Sequence, residues 1–151
     1  MLTLILLRHA KAGPHGGDDF ARELTDKGHK DAGRAGAFLL ENNLLPDLAL
    51  VSPAARTRQT FEDLVAASRP IHADFEEELY NAGARQLRER LRRIDGAVKT
   101  LLVIGHNPGI AELALNLASD GDIKDFEAVR NRFPPASFAI IEFRGENWED
   151  A

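Results

Sequence analysis

The sequence predicts an α/β fold with a mostly parallel central sheet. Strand-like and helix-like segments alternate along the chain, the pattern of repeated β–α units. Three segments, Thr3–Leu7, Leu48–Val51 and Thr100–Ile104, are short apolar runs, as expected of strands covered on both faces. Each is followed at once by polar residues: Arg8-His9, Ser52 to Arg56 and Gly105-His106. In an open parallel sheet, ligands bind in the crevice outside the carboxyl ends of the strands, and those ends share one edge. Three polar clusters far apart in sequence are thereby directed to one crevice.

The elements follow in order. Thr3–Leu7 is the first strand, and a loop from Gly13 to Asp19 succeeds it. Thr25 can cap a helix reaching Glu41, whose apolar stripe is Ala32, Ala35, Gly36, Leu39 and Leu40. Pro46 closes that segment before the strand Leu48–Val51. Ser52-Pro53 then reads as the start of a helix, with Ser as N-cap and Pro in the first helical position. Phe61, Leu64 and Val65 supply its inner face. A short strand is weakly marked over Ile71–Phe75, and Ala84–Ile94 is a helix with Leu87, Leu91 and Ile94 inward and its arginines on a solvated outer face. Thr100–Ile104 is the clearest strand, Asn107-Pro108 opens a helix to Ala118, and Ser137–Phe143 is the last strand.

A chain of 151 residues is long enough for one domain with its own core, so a single domain over 1–151 is expected. Residues 144–151, acidic and bearing Trp148, read as a loosely held tail. The net charge of −5 argues against broad capture of nucleic acid or an anionic membrane. Cys is absent, which removes a disulfide framework, a thiol nucleophile and a Cys-zinc site, and suits a cytoplasmic setting. The first apolar run has no cation before it and no small-residue cleavage site after it, so it reads as a strand rather than a leader. No apolar stretch approaches the roughly 18 residues of a membrane span.

The chemistry concentrates at the strand ends. Transfer of a phosphoryl group needs cations and N–H donors around its oxygens, and a nucleophile in line with the leaving group. Arg8 and Arg56 suit the first task, because guanidinium is planar, permanently charged and able to grip oxyanions in pairs. Arg56 lies in the first turn of its helix, where free N–H groups and the macrodipole also favour an anion. His9 can attack phosphorus through a neutral ring nitrogen, and neighbouring cations keep the imidazole neutral.

Leu7-Arg8-His9-Ala10-Lys11 resembles the signature of the histidine phosphatase superfamily, in its SixA-type phosphohistidine phosphatase branch. Ser52-Pro53-Ala54-Ala55-Arg56-Thr57-Arg58-Gln59-Thr60 is similar to that family's second motif, and Gly105-His106-Asn107-Pro108-Gly109 to its third. Arg22-Glu23-Leu24-Thr25-Asp26-Lys27-Gly28 resembles the stretch that supplies a further phosphate-pocket arginine. The resemblance implies a phosphoglycerate mutase-like three-layer α/β/α sandwich that needs no metal and no organic cofactor. It implies His9 as nucleophile, Arg8 and Arg56 as phosphate clamp, His106 as the second histidine, and Arg22 as a supporting binder. Larger, mutase-like members carry a carboxylic acid for the leaving group. Glu78, within Glu76-Glu77-Glu78-Leu79-Tyr80, is the first choice for that acid, beside the plain reading of a solvated acidic turn. Imidazole leaving from a phosphohistidine can already be protonated on its other nitrogen, so it needs less help than an alcohol.

The resulting expectation is a phosphatase working through phospho-His9, with a phosphorylated protein, either a phosphocarrier or a histidine-phosphotransfer domain, as favoured partner. A phosphatase of small phosphoesters and a non-catalytic module that binds a phosphorylated partner are the alternatives. His15, His29 and His72 read as surface or structural histidines, and Arg58 as solvated or salt-bridged on another helix face. Lys11 either adds charge near the pocket or faces water. His15 with Asp18 and Asp19 forms a weak metal-site candidate on a loop. A Walker loop and a G-x-S-x-G elbow are both absent, so nucleotide hydrolysis and serine hydrolase chemistry lack their signatures.

Overall fold

The computed structural model describes residues 1–14, 17–118 and 133–151, so His15 and its metal-site candidate lie outside the described residues. Among the described residues, nine α-helices and strands form the frame: β1 Leu2–Arg8, α1 Asp26–Glu41, β2 Leu48–Val51, α2 Ala55–Ala66, β3 Ala73–Phe75, α3 Ala84–Leu91, β4 Thr100–Gly105, α4 Gly109–Leu117 and β5 Phe138–Phe143. The sheet runs β3-β2-β4-β1-β5. The β1–β4, β2–β4 and β2–β3 pairs are parallel, and β5 closes the β1 edge antiparallel. The α/β expectation therefore holds, with three layers.

Side-chain alternation along the strands builds those layers. Ile5, Leu7, Ala49, Val51, Leu102 and Ile104 pack with Ala35, Leu39, Phe61 and Leu64 of α1 and α2. Leu4, Leu6, Leu50, Leu101 and Val103 point to the opposite face and meet α3 and α4 through Leu87, Leu91, Ile110 and Leu113. The three central strands are buried on both faces, which is why they read as unbroken apolar runs. β5 alternates between half-buried and exposed positions, as an edge strand with a solvated face does.

Thr25 caps α1, its hydroxyl accepting from the Gly28 amide at 3.1 Å. Where α1 crosses α2, a Cβ on Gly36 would stand 2.1 Å from the Leu64 carbonyl oxygen, whereas one on Gly33 would meet nothing within 4 Å. Gly36→Ala is therefore expected to force the helices apart and cost about 3 kcal/mol, and Gly33→Ala to be neutral or stabilising by a few tenths of a kcal/mol. Thermal unfolding of the two variants beside the parent checks this opposition.

Several boundaries differ from the sequence reading. α2 starts at Ala55 with Ala54 as N-cap and no side-chain cap, because the Ser52 hydroxyl is taken by His106 instead. β3 is confined to Ala73–Phe75, the part paired with β2. The arginines of α3 are not uniformly solvated: Arg90 is half-buried and donates to both oxygens of Glu76 at 2.8 and 2.9 Å. Residues 144–151 correct the expectation of a loose tail. Trp148 is 1% exposed, packs against Phe143 and donates its indole N–H to the Val98 carbonyl at 2.7 Å. The Ala151 carbonyl accepts from Arg88 and Arg92. A large aromatic surface and a satisfied indole outweigh the acidic composition around them. Among the described residues, no helix is long and apolar enough to cross a membrane.

Candidate active site

Arg8 ends β1, in register with Gly105 at the end of β4, and His9 continues the chain by donating its amide to the Gly105 carbonyl at 3.0 Å. His106 follows directly, and Ser52 leaves the end of β2 in register beside them, with its amide on the Ile104 carbonyl. The parallel frame thus brings both histidines to one edge. Their ring centroids are 5.3 Å apart.

His9 is 7% exposed. Its Nδ1 lies 2.7 Å from the Ala10 carbonyl oxygen. A carbonyl only accepts, so Nδ1 carries the proton and Nε2 keeps its lone pair. Burial holds the imidazole pKa down at about 4, with Arg56, Arg8 and Arg22 pushing the same way and the Ala10 hydrogen bond opposing them. His106 is held down at about 3 by burial, then by Arg56 and His9. Its Nε2 is 2.7 Å from Ser52 Oγ, and its buried Nδ1 has no partner among the described residues.

Both rings are neutral near pH 7, and both gain protons on unfolding once the pH drops below the ordinary histidine value. Their folded pKa values are depressed, so the stability they contribute is present above about pH 6.5 and is lost as pH falls toward 4 and then 3. The unfolding midpoint is expected to fall steadily from pH 6.5 to pH 4, and the two rings to titrate below pH 5 by NMR. A midpoint flat over that window would contradict the depressed values.

Among the described residues, three arginines stand around the rings. Arg56 is 5% exposed on the first turn of α2 and donates from Nη1 to the Asp19 carbonyl (2.7 Å) and from Nη2 to Asp19 Oδ2 (3.1 Å). Arg22 donates from Nη1 to the Gly13 carbonyl at 3.2 Å. Its Nε lies 3.1 Å from Asp19 Oδ1 as an ion pair, off the line of a good hydrogen bond. Arg8 donates from Nη1 to the Phe133 carbonyl at 3.0 Å, and burial, then Arg56, lowers its pKa below the ordinary guanidinium value. The Nε atoms of Arg8 and Arg56 are buried without partners among the described residues. Unpaired buried donors are costly, and a cluster of them at one sheet edge is equipped to receive an oxyanion.

Arg8, His9, Arg22, Arg56 and His106 are thus brought together, whereas Glu78 is not. Its carboxylate lies 3.7 Å from Arg90 and Arg93, 59% exposed, and lines a separate cleft of about 360 Å³ with Ala82, Gln86 and Glu89. Arg90 of α3 and Arg93, two residues beyond its end, hold it there, which corrects its assignment as the acid. Among the described residues, the carboxylate at the site belongs to Asp19, which also accepts from the Tyr80 hydroxyl. That hydrogen bond, together with Arg56 and Arg22, holds Asp19 ionised with a pKa of about 2, despite some opposing burial. The same bond raises the Tyr80 phenol above its ordinary value. Asp19 and Tyr80 are site residues that carry no phosphate-site signal in the sequence, and Ser52, directed to the crevice with the second cluster, pairs with His106 instead of capping α2. Arg58 is turned away, over the Phe75 ring, and His29 and His72 pair with Asp63 and Asp74. Lys11 is exposed. No cluster of three or more His, Cys, Asp or Glu suited to a metal occurs among the described residues.

The sequence model of the histidine phosphatase superfamily, branch 1, matches residues 4–83, which hold Arg8, His9, Arg22 and Arg56. The chain belongs to the histidine phosphatase superfamily. An uncharacterized protein of Mycobacterium tuberculosis is 36% identical over 147 residues, covering 95% of this chain and 90% of that one. A crystal structure from Agrobacterium tumefaciens, provisionally named phosphohistidine phosphatase SixA, superposes with a TM-score of 0.84 at 29% identity over 95% of this chain and 92% of that one. The protein histidine phosphatase SixA complexed with tungstate aligns with a TM-score of 0.71 at 25% identity, covering 77% and 76%. The fold is accordingly phosphoglycerate mutase-like, and this superfamily member has SixA-like neighbours.

Proposed function

We propose that the protein is a phosphatase that removes phosphoryl groups from protein histidines through a covalent intermediate on His9. The observation that carries this reading is the Nδ1 hydrogen bond to Ala10, which points the lone pair to Nε2 within the arginine cluster. In the first step, His9 Nε2 attacks phosphorus, the P–N bond to the substrate imidazole breaks, and that ring departs neutral with the proton it already carries on its other nitrogen. Phospho-His9 retains the Nδ1 proton on Ala10. When water attacks phosphorus in the second step, the P–Nε2 bond breaks, His9 leaves as neutral imidazole, and the water protons go out with inorganic phosphate. Arg8, Arg56 and Arg22 hold the phosphoryl oxygens through both steps. With the Ser52 hydroxyl donating to Nε2, His106 offers its buried Nδ1–H as a further donor.

Neither step requires a protonated carboxylic acid. That favours a phosphohistidine over an alcohol ester, because Asp19 is held ionised and Glu78 is bound to Arg90 and Arg93. A SixA neighbour complexed with tungstate, a phosphate-like oxyanion, supports the reading that this chain also takes a phosphoryl oxyanion. A cytoplasmic phosphocarrier or histidine-phosphotransfer domain is the proposed partner.

The test compares phosphate release from a phosphohistidine-bearing carrier domain, a sugar phosphate and an aryl phosphate. Release is expected from the carrier at least about tenfold faster in kcat/KM than from either ester. Release confined to the esters would overturn the assigned substrate, and a stable complex without turnover would replace the enzyme by a binding module.

A further inference from the structure

The Asp19 turn meets the arginine cluster through more contacts than a surface carboxylate needs. A guanidinium fork has two gripping edges: an end formed by its two Nη groups, and a side formed by Nε and one Nη. Asp19 occupies the end of Arg56 with two different oxygens, its backbone carbonyl on Nη1 and Oδ2 on Nη2. The Nε of Arg56 is buried without a partner among the described residues, so the side edge is the one left for an oxyanion. Oδ1 of the same carboxylate faces Arg22 Nε at 3.1 Å, so one residue sets two guanidinium groups.

Asp19 is itself braced. The Tyr80 hydroxyl donates to Oδ2, and the Tyr80 ring stacks edge-on against Phe20 at 5.1 Å and against His106 at 5.5 Å. Asp18 caps the short turn by accepting from the Phe20 amide at 3.0 Å. Residues 61 positions apart thus form one unit that touches the second histidine at one end and two arginines at the other.

We propose that Asp19, braced by Tyr80, is the positioning residue of the phosphate clamp: it holds the end of Arg56 and the Nε of Arg22 so that the Nε side of Arg56 is presented to the phosphoryl group. This role rests on the phosphatase reading. Asp19 touches neither the phosphoryl group nor the nucleophile, and it acts through the arginines. Its negative charge also offsets three clustered cations, which lets them stand together before a phosphoryl group arrives.

The experiment measures inorganic phosphate binding by calorimetry, turnover on the phosphohistidine carrier, and rotation of the Arg56 guanidinium by nitrogen NMR. The parent protein is compared with Asp19→Ala, Asp19→Asn and Tyr80→Phe. Asp19→Ala is expected to weaken phosphate binding and lower kcat/KM by about tenfold each, with the Arg56 Nη groups rotating freely and the Arg8 signals unchanged. Asp19→Asn keeps an acceptor without its charge and is expected to fall between. Tyr80→Phe leaves the carboxylate in place and is expected to show the same signs at about threefold. Tighter phosphate binding in the Asp19 variants would overturn the proposal, because Asp19 would then be a competitor for the clamp. Unchanged Arg56 rotation would overturn it equally. If the parent protein itself neither releases phosphate nor forms a phosphoenzyme, the phosphatase reading fails, while the rotation measurement still decides whether Asp19 orders Arg56.

Discussion

His9→Ala is expected to lower phosphate release from a phosphohistidine carrier by at least about 10⁴-fold and to abolish the acid-labile phosphoenzyme seen when the parent is quenched in mid-turnover. The size follows from the role: removing the group that forms the covalent bond deletes the pathway, and the remaining donors only stabilise charge. The variant should still fold, because the side chain lost is small and its hydrogen bond to Ala10 is local. His106→Ala provides the contrast. It removes a donor beside the reacting phosphoryl group and leaves the nucleophile, so a loss of about 10²–10³-fold is expected, with the phosphoenzyme still detectable. Turnover unchanged in His9→Ala would exclude the covalent route altogether. Equal losses in the two variants with no phosphoenzyme in either would show that the histidines act as one inseparable unit.

The site was legible where one local pattern determines position. β1, β2 and β4 are unbroken apolar runs because both faces are covered, so their ends are visible in sequence, and Arg8, His9 and His106 sit at those ends. Thr25 was legible as a cap for the same reason, since capping is decided within a few residues. Ser52 misleads because a serine before a proline fits an N-cap, and only the arrival of His106 from the end of β4 removes its hydroxyl to another partner. Asp19 and Tyr80 carry no local signal, since their pairing depends on how two loops close over the sheet edge. Glu78 fails for a related reason. Within three consecutive glutamates, composition does not say which faces the site, and Arg90 and Arg93, further along the chain, draw Glu76 and Glu78 toward α3. Trp148 reads as part of a loose tail because the acidic residues around it dominate the composition, whereas its place is set by the core cluster it joins and by the Val98 carbonyl that accepts its indole N–H.

Arg56→Ala is expected to reduce turnover by about 10³-fold, and Arg56→Lys by about 10²-fold although the charge is kept. The difference between the two measures what the charge contributes, and the shortfall of lysine measures what the planar fork contributes. Arg56 is 5% exposed and uses two Nη groups on Asp19 while its Nε remains for an oxyanion. A lysine ammonium cannot hold Asp19 with two parallel N–H groups and still present a third in the same plane. The histidines provide an independent reading of the charge alone. Arg56 depresses both rings and, after burial, is the largest cause for His106. In Arg56→Ala the pKa of His106 should therefore rise more than that of His9, with both still below the ordinary histidine value because burial persists. In Arg56→Lys both should stay near their parent values. Rates that fall in both variants while the ring titrations move only in alanine would separate geometry from electrostatics at this one position. A lysine variant within a few-fold of the parent would instead show that the phosphoryl group needs only a positive charge at the head of α2, and that the paired grip on Asp19 is incidental.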